Sequence, residues 1–356
     1  MRNEAYFAYA AMTNDEVQRS IRTFYEAVTD KMTNRNPHEA IMTKPRILFM
    51  GTPEFAVPSL SLLVERNYPI IGVVTQPDRP QGRGRLLQPS PVKALALAYQ
   101  LPIFQPERVR EGTFLQTFRK LAPDFVALAA FGQILPQEII DLPKRGCLNV
   151  HPSLLPRYRG AAPINWAIIQ GEKKTGVTIM QMAAGLDAGD IILQEETPVG
   201  ADETFDRLHD RLSRRGAELL VEAMEMIING KALRRAQDGS AATYAPRLKK
   251  EDGLIRWDQD ADSIVNLIRG LSSSPGAYTF LDGKKMKVFF AKGEEAPGKE
   301  APGTVCQRPG AALAVAAGNG YVHLLDVQLE NKKSMPAGDF LKGYQIRPGS
   351  VLGILP

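Results

Sequence analysis

From Arg46 onward, short runs of consecutive apolar residues alternate with stretches in which apolar positions recur every three or four residues. Ile47–Met50, Ile70–Thr75, Pro102–Phe104, Asp124–Ala130 and Cys147–Val150 read as strands. Glu54–Arg66, Ser90–Tyr99 and Val109–Leu121 read as the helices between them. Short strands that are apolar on both faces and separated by helices predict an α/β fold: a mostly parallel, Rossmann-like sheet with helices on both faces. Ligands bind such sheets beyond the carboxyl ends of the strands, so the loops Phe131–Pro136 and His151–Pro163 matter most. Two more strands, Val177–Met182 and Ile191–Gln194, precede a long amphipathic helix, Asp202–Ile228.

Beyond that helix the pattern changes. Asn229–Tyr244 is polar, small and Gly-containing, and reads as an exposed linker. A helix at Ala261–Leu271 is followed by short strands at Ala277–Leu281, Lys284–Ala291, Gly303–Cys306, Ala311–Ala316 and Tyr321–Val327. Turn signals stand at Asp282-Gly283 and Gly318-Asn319-Gly320. This half predicts a small OB-like β-barrel domain. The expected organisation is an extension over 1–44, a catalytic domain over 45–230, a linker over 231–252 and the barrel over 253–356. The extension carries no apolar signal-peptide core and too many acids for a transit peptide. It is expected to be flexible or not part of the native protein, with translation of the working protein starting at Met42.

Composition narrows the class. At about 100–200 residues per domain, 356 residues fit two or three. Lys and Arg total 44 against 39 Asp and Glu, a mildly basic balance that agrees with a nucleic-acid partner without arguing for one alone. Two cysteines, Cys147 and Cys306, leave no disulfide framework and no Cys-rich zinc site. No apolar run is long enough to span a membrane, so a reducing, cytoplasmic setting is expected. The loop Gly51-Thr52-Pro53-Glu54 after the first strand lacks the glycine spacing of a dinucleotide site, which argues against an NAD-dependent enzyme.

The densest chemistry lies in Asn149-Val150-His151-Pro152-Ser153-Leu154-Leu155-Pro156, at a strand end. Asn149 and His151 are two apart, so on a strand their side chains share one face. A carboxamide N–H there can donate to an oxyanion, and an imidazole can carry a proton near neutrality. A lone histidine is more often structural. The neighbouring carboxamide and the Pro-rich loop set His151 apart from His38, His209 and His323. The turn Gly185-Leu186-Asp187-Ala188-Gly189-Asp190 offers two carboxylates, either to orient the imidazole or merely to favour the turn.

These motifs resemble the folate-dependent formyltransferases: Asn149-x-His151, Ser153-Leu154-Leu155-Pro156-Arg157, Arg159-Gly160 and Asp187-Ala188-Gly189-Asp190. Gln76-Pro77-Asp78-Arg79-Pro80-x-Gly82-Arg83-Gly84, Pro89-Ser90-Pro91-Val92-Lys93, Gly160-Ala161-Ala162-Pro163-Ile164 and the barrel-like tail bring it closest to those acting on methionyl-tRNA. The resemblance runs from about Arg46 to the C-terminus. It implies transfer of the formyl group of 10-formyltetrahydrofolate to the α-amine of initiator methionyl-tRNA, without a metal and in a monomeric enzyme. By the same resemblance Asn149 stabilises the oxyanion, His151 moves the proton, and Asp187 orients His151 or relays the proton. The folate pocket then falls to Ser153, Leu154, Leu155 and Pro156 with Phe131, Gly132 and Ile134–Pro136.

The loop Gln76–Lys93 carries Arg79, Arg83, Arg85 and Lys93 against Asp78 alone, and Gly82 and Gly84 loosen it. A cationic loop of this kind reaches phosphates, and the resemblance assigns it to the tRNA acceptor arm. Arg85-Leu86 stands where relatives often carry two lysines, and Ser272-Ser273-Ser274-Pro275-Gly276 where they usually carry a Trp-containing run. The tail adds Lys284, Lys285, Lys287 and Lys292, then Lys332, Lys333, Lys342 and Arg347. Two other readings remain: a formyltransferase acting on an amino sugar or purine-precursor ribonucleotide, and a non-catalytic tRNA-binding protein. The basic loop and tail weigh against the first, the Asn149–His151–Asp187 set against the second.

Overall fold

The computed structural model of the chain describes residues 44–81, 86–297 and 300–353. The extension before Lys44, its expected start at Met42, and Arg83 and Arg85 lie outside them. Along the chain the elements begin with β1 (Ile47–Gly51), α1 (Val57–Glu65), β2 (Ile70–Val74), β3 (Arg79–Gln81), β4 (Leu86–Gln88), α2 (Pro91–Ala98) and β5 (Ile103–Phe104). Then come α3 (Gly112–Leu121), β6 (Phe125–Ala129), α4 (Gln137–Asp141), β7 (Gly146–His151), β8 (Arg159–Gly160) and α5 (Pro163–Ile169). They continue with β9 (Lys174–Gln181), β10 (Ile191–Pro198), α6 (Phe205–Ile228), β11 (Tyr244–Ala245) and α7 (Ala261–Gly270). The last are β12 (Ala277–Leu281), β13 (Lys284–Glu295), β14 (Val305–Cys306), β15 (Leu313–Ala316), β16 (Gly320–Leu329), β17 (Met335–Pro336) and α8 (Ala337–Gly343).

The described chain divides into two compact units. One takes the residues up to Pro156, Val177–Glu195 and Leu212–Ala241; the other takes Arg157–Gly176, Glu196–Arg211 and everything from Ala242.

The first unit is built on a sheet of order β10-β9-β7-β6-β1-β2-β5. From β5 to β7 the pairs are parallel, and β9 joins β7 antiparallel. Strand alternation sends Leu48, Met50, Val126, Leu128 and Cys147 to one face, against Phe114, Phe118 and Leu121 of α3 and Ile139 and Ile140 of α4. The opposite face of β7 meets α6. A Cβ on Gly216 would stand 2.6 Å from Val150 Cγ1, so the helix approaches this closely only because residue 216 has no side chain. Both faces of the sheet are thus covered by helices, as its unbroken apolar strands require.

The second unit centres on an antiparallel sheet of order β12-β13-β16-β15-β14, with β17 beside β16. The sheet curls into a half-barrel; among the described residues no ladder joins β12 to β14. Its core includes Trp257, Ile264, Ile268, Met286, Val288, Val322, Leu324 and Phe340. Helix α7 starts where Asp260 accepts the Ser263 N–H at 2.7 Å. The Ser272–Gly276 run is held by Asp206, whose carboxylate accepts the Ser273 N–H at 2.9 Å and whose own N–H donates to Ser272 O at 3.3 Å.

Some elements differ from expectation. Arg79–Gln81 and Leu86–Gln88 pair antiparallel, Arg79 opposite Gln88 and Pro80 opposite Leu87, while Gly82 and Gly84, on which the expected flexible loop rests, lie outside the described residues. Helices α4, α5 and α8 are too short to show a period in sequence. The linker forms structure as well: Arg235 bridges Ile191 and Tyr244–Ala245 pairs with Arg159–Gly160. No helix among the described residues is long and apolar enough to cross a membrane. The close approach at Gly216 generates a test: Gly216→Leu is expected to cost about 1–3 kcal/mol by overpacking although leucine is the better helix former. A lowered urea midpoint would report it.

Candidate active site

Strand β7 is the central feature. Its Leu148 and Val150 point to the side covered by α6, so Cys147, Asn149 and His151 point to the other. In register, Asn149 lies between Leu128 of β6 and Met180 of β9, and His151 lies opposite Thr178. His151 is 4% exposed and Asn149 half-buried. Cys147, on the same face, is fully buried, and burial pushes its thiol well above the usual range, so it supplies no thiolate to the site. The other described histidines face different carboxylates: His209 lies 3.1 Å from Asp210, and His323 lies 2.7 Å from Glu294.

The chain leaving His151 is held by one hydroxyl. Ser153 N–H turns back onto His151 O at 2.9 Å. Thr178 Oγ1 donates to Ser153 O at 2.7 Å, and accepts Leu155 N–H at 3.2 Å and Gln194 Nε2 at 2.8 Å. Gln194 Nε2 also donates to Leu155 O at 3.0 Å, and its own Oε1 accepts from Arg235 at 3.0 Å. A hydroxyl has one proton and two lone pairs, and Thr178 uses all three while fully buried. The loop therefore departs from the strand along one fixed course.

The third side chain comes from the turn between β9 and β10. Asp187 Oδ2 stands 3.7 Å from His151 Nδ1, with side-chain exposures of 14% and 5%. That is beyond direct hydrogen-bond length but within ion-pair reach. Asp187 has φ +46°, a left-handed conformation that costs a residue with a Cβ about 1–3 kcal/mol and persists only where neighbours enforce it. The turn is pressed onto β9: a Cβ on Gly189 would fall 1.8 Å from Gln181 O, so only glycine fits there. Gln181 N–H donates to Asp190 O at 2.8 Å and Met182 N–H to Cys147 O at 2.7 Å, which seats the turn beside β7. Gln237 Nε2, from the linker, donates to Asp187 O at 2.8 Å and to Gly189 O at 2.7 Å.

Residues 45–224 match the family model "Formyl transferase" and residues 247–345 match "Formyl transferase, C-terminal domain". The methionyl-tRNA formyltransferase of Syntrophus aciditrophicus is 56% identical over 312 residues, covering 88% of this chain and all of that protein. That of Citrifermentans bemidjiense is 52% identical over 314 residues, 88% of this chain and 98% of that protein. The chain belongs to the methionyl-tRNA formyltransferase family. The fold is shared more widely: WlaRD, a sugar 3N-formyltransferase solved in the presence of dTDP and 5-N-formyl-THF, superposes with a TM-score of 0.58 at 18% identity, over 81% of this chain and 99% of that one.

Within this methionyl-tRNA formyltransferase family member, Asn149 and His151 share one face of β7 at the sheet end, and Asp187 stands 3.7 Å from His151. The residues assigned to the folate pocket fall into two groups. Phe131, Leu135 and Leu155 bury their side chains, Phe131 and Leu135 in the core under the sheet and Leu155 against Met180 and Ile191. Ser153 is also fully buried. Leu154 and Pro156 are half-exposed, Gly132 is exposed and Ile134 is 94% exposed, so these are free to meet a ligand. The backbone of the Phe131 loop is fixed where Thr52 Oγ1 and Gln76 Nε2 both donate to Phe131 O, at 3.2 and 3.1 Å.

In the basic loop, Arg79 is exposed on β3, while Lys93 is tied to Asp78 at 2.6 Å. Asp78 also accepts from Gln105 Nε2 at 2.9 Å, so the root of the hairpin is braced. Among the described residues, no group of three or more His, Cys, Asp or Glu side chains is placed to hold a metal. Sequence reasoning missed Thr178, Gln194, Arg235 and Gln237, which bear on the site only through partners distant in sequence. Thr178→Val keeps the shape and removes the hydroxyl. It is expected to cost about 1–3 kcal/mol by leaving Ser153 O and Leu155 N–H without their buried partner, read as a lower melting temperature.

Proposed function

We propose that Asn149, His151 and Asp187 carry out the formyl transfer of this methionyl-tRNA formyltransferase. In the reaction the formyl group of 10-formyltetrahydrofolate passes to the α-amine of initiator methionyl-tRNA. The amine nitrogen bonds to the formyl carbon, the carbonyl oxygen takes up negative charge, and the bond from carbon to the folate nitrogen breaks. One proton leaves the attacking amine and one reaches the departing nitrogen. The observation that supports the reading best is the Asp187 carboxylate 3.7 Å from the buried His151 imidazole, at the end of the strand whose same face carries the half-buried Asn149.

The roles follow from the chemistry of the groups. An α-amine titrates at about 7.7–8.0, so about a tenth of it is uncharged at pH 7, a small cost, and the larger part of the barrier lies in charge developing during transfer. The side-chain N–H of Asn149 donates to the oxyanion, an interaction worth about 10²–10³ in rate. His151 accepts the proton of the attacking amine and returns it to the leaving nitrogen, worth about 10²–10⁴. Asp187, at 3.7 Å from Nδ1, orients the imidazole or relays the proton. Leu154 and Pro156, half-exposed, and Gly132 and Ile134, exposed, are the accessible members of the assigned folate surface.

The tRNA is assigned to the basic hairpin, through Arg79, Arg83, Arg85 and Lys93, and to the half-barrel. On β13, Lys285 and Lys287 alternate with buried Met286 and Val288, so they share the outer face. Lys285 Nζ lies 3.4 Å from the centroid of the Tyr278 ring, and Tyr278 packs edge-on against Phe280. Partial burial, with Lys287 and Lys250 nearby, holds the Lys285 ammonium below its ordinary pKa. A face of crowded cations and aromatic rings is what a phosphate backbone with stacked bases relieves. The free cysteines and the enzyme's place in translation agree with a cytoplasmic setting.

Incubation with 10-formyltetrahydrofolate and methionylated initiator tRNA, followed by chromatography, is expected to yield formylmethionine. A nucleotide-linked amino sugar in the same mixture is expected to remain unmodified. His151→Ala and Asn149→Ala are expected to lower turnover by about 10²–10⁴ and about 10²–10³, with tRNA affinity little changed; wild-type turnover in either removes the mechanism. Lys285→Ala and Lys287→Ala are each expected to weaken tRNA binding and to reduce the slope of log K against log salt by about 0.7–0.9 for every phosphate left unneutralised, measured by filter binding at several salt concentrations.

A further inference from the structure

Residues 233–241 are exposed with one exception. Gln237 is half-buried and turns its amide toward the Asp187 turn. The two carbonyls it meets belong to Asp187 and Gly189, on either side of Ala188, at 2.8 and 2.7 Å from the same Nε2. A primary amide has two N–H groups, so each carbonyl is matched to one of them. This brings Asp187 O and Gly189 O onto one amide nitrogen and fixes the peptide planes that follow Asp187 and Gly189. With φ of Asp187 already confined near +46°, holding its carbonyl sets ψ as well, and the direction of its Cβ follows.

The linker that carries Gln237 is itself anchored to the sheet. Arg235 and Ile191 exchange both backbone hydrogen bonds, at 2.8 and 2.9 Å, two residues before Gln237. The Arg235 side chain continues to Gln194 Oε1. Gln237 is therefore a short arm fixed at its base to β10 and at its tip to the turn.

We propose that Gln237 is a positioning residue: its amide holds the Asp187 backbone so that the carboxylate faces His151 Nδ1. The inference rests on the catalytic reading of Asp187 given above and extends it to a residue that touches no reacting atom. A misplacement of about 1 Å at a catalytic group costs up to about 10² in rate, which sets the scale of the effect. Gln237→Glu is the sharpest probe. It has nearly the same shape, but at neutral pH it replaces the donor with a carboxylate oxygen facing two carbonyl oxygens.

The test is single-turnover formylation by wild type, Gln237→Glu, Gln237→Ala, Asp187→Asn and the Gln237→Glu/Asp187→Asn double variant, with thermal melting to compare their folding. Both Gln237 variants are expected to transfer formyl about 10–100-fold more slowly, with the half-saturating tRNA concentration within about twofold of wild type. The double variant is expected to be no slower than Asp187→Asn alone, since a clamp has no further effect once its carboxylate is gone. A purely structural role for Gln237 gives a different pattern: lower melting temperature, and losses that multiply in the double variant. That pattern overturns the proposal. If Asp187→Asn is slow while both Gln237 variants match wild type, this proposal fails and the catalytic reading stands. If Asp187→Asn itself runs at the wild-type rate, both fail together.

Discussion

The Thr178 hydroxyl is the constraint from which the course of the chain beyond His151 follows. It is buried in β9, opposite His151, and its three hydrogen bonds go to Ser153, Leu155 and Gln194. Because one oxygen satisfies the backbone of the departing loop at two points, the loop has a single course away from the strand. An imidazole at the last residue of a strand would otherwise sit on the most variable part of the chain. Here it sits between a fixed strand and a fixed loop, and its exposure of 4% follows from that enclosure. The same oxygen connects through Gln194 to Arg235, so the linker and the loop share one network.

The carboxylate side of the site is built on a different principle. The Asp187 turn is held by close packing and by hydrogen bonds to its backbone. Gly189 lies against Gln181 O at a distance no side chain tolerates, and Asp187 adopts a left-handed backbone that needs external support. Hydrogen bonds from Gln181 and Met182 tie the ends of the turn to β9 and β7, and the Gln237 amide holds its middle. A carboxylate carried on a strained turn and braced on several sides is held in one place without being buried completely.

How much of this was legible in the sequence depends on whether the cause is local. The parallel sheet could be read because β1, β2 and β6 are apolar at every position, a pattern that only burial on both faces explains. Asn149 and His151 could be paired because a strand's period of two is local as well. The bracketing glycines exposed the Asp187 turn as sharp but gave no indication of which carboxylate turns inward. Thr178, Gln194 and Gln237 left no mark: each is an ordinary polar residue whose partners lie between 16 and 50 positions away. The pairing of Arg79–Gln81 with Leu86–Gln88 was hidden because each strand is only three residues long. The linker seemed featureless because a single bridge at Arg235 and one half-buried amide leave its composition polar.

The division into two units has a consequence for how this polypeptide is cut or spliced. The chain passes between the units at 156/157, 176/177, 195/196, 211/212 and 241/242, and the fourth of these passages falls inside the continuous helix α6. Neither unit is a contiguous stretch of sequence, so no single break in the chain releases one of them whole. A nick in the exposed 233–241 stretch leaves the leading fragment with pieces of both units and the trailing fragment short of Arg157–Gly176 and Glu196–Arg211. The second unit as a whole therefore cannot be traded between proteins as a cassette joined at one seam, although the strands of its half-barrel all lie beyond Ala242.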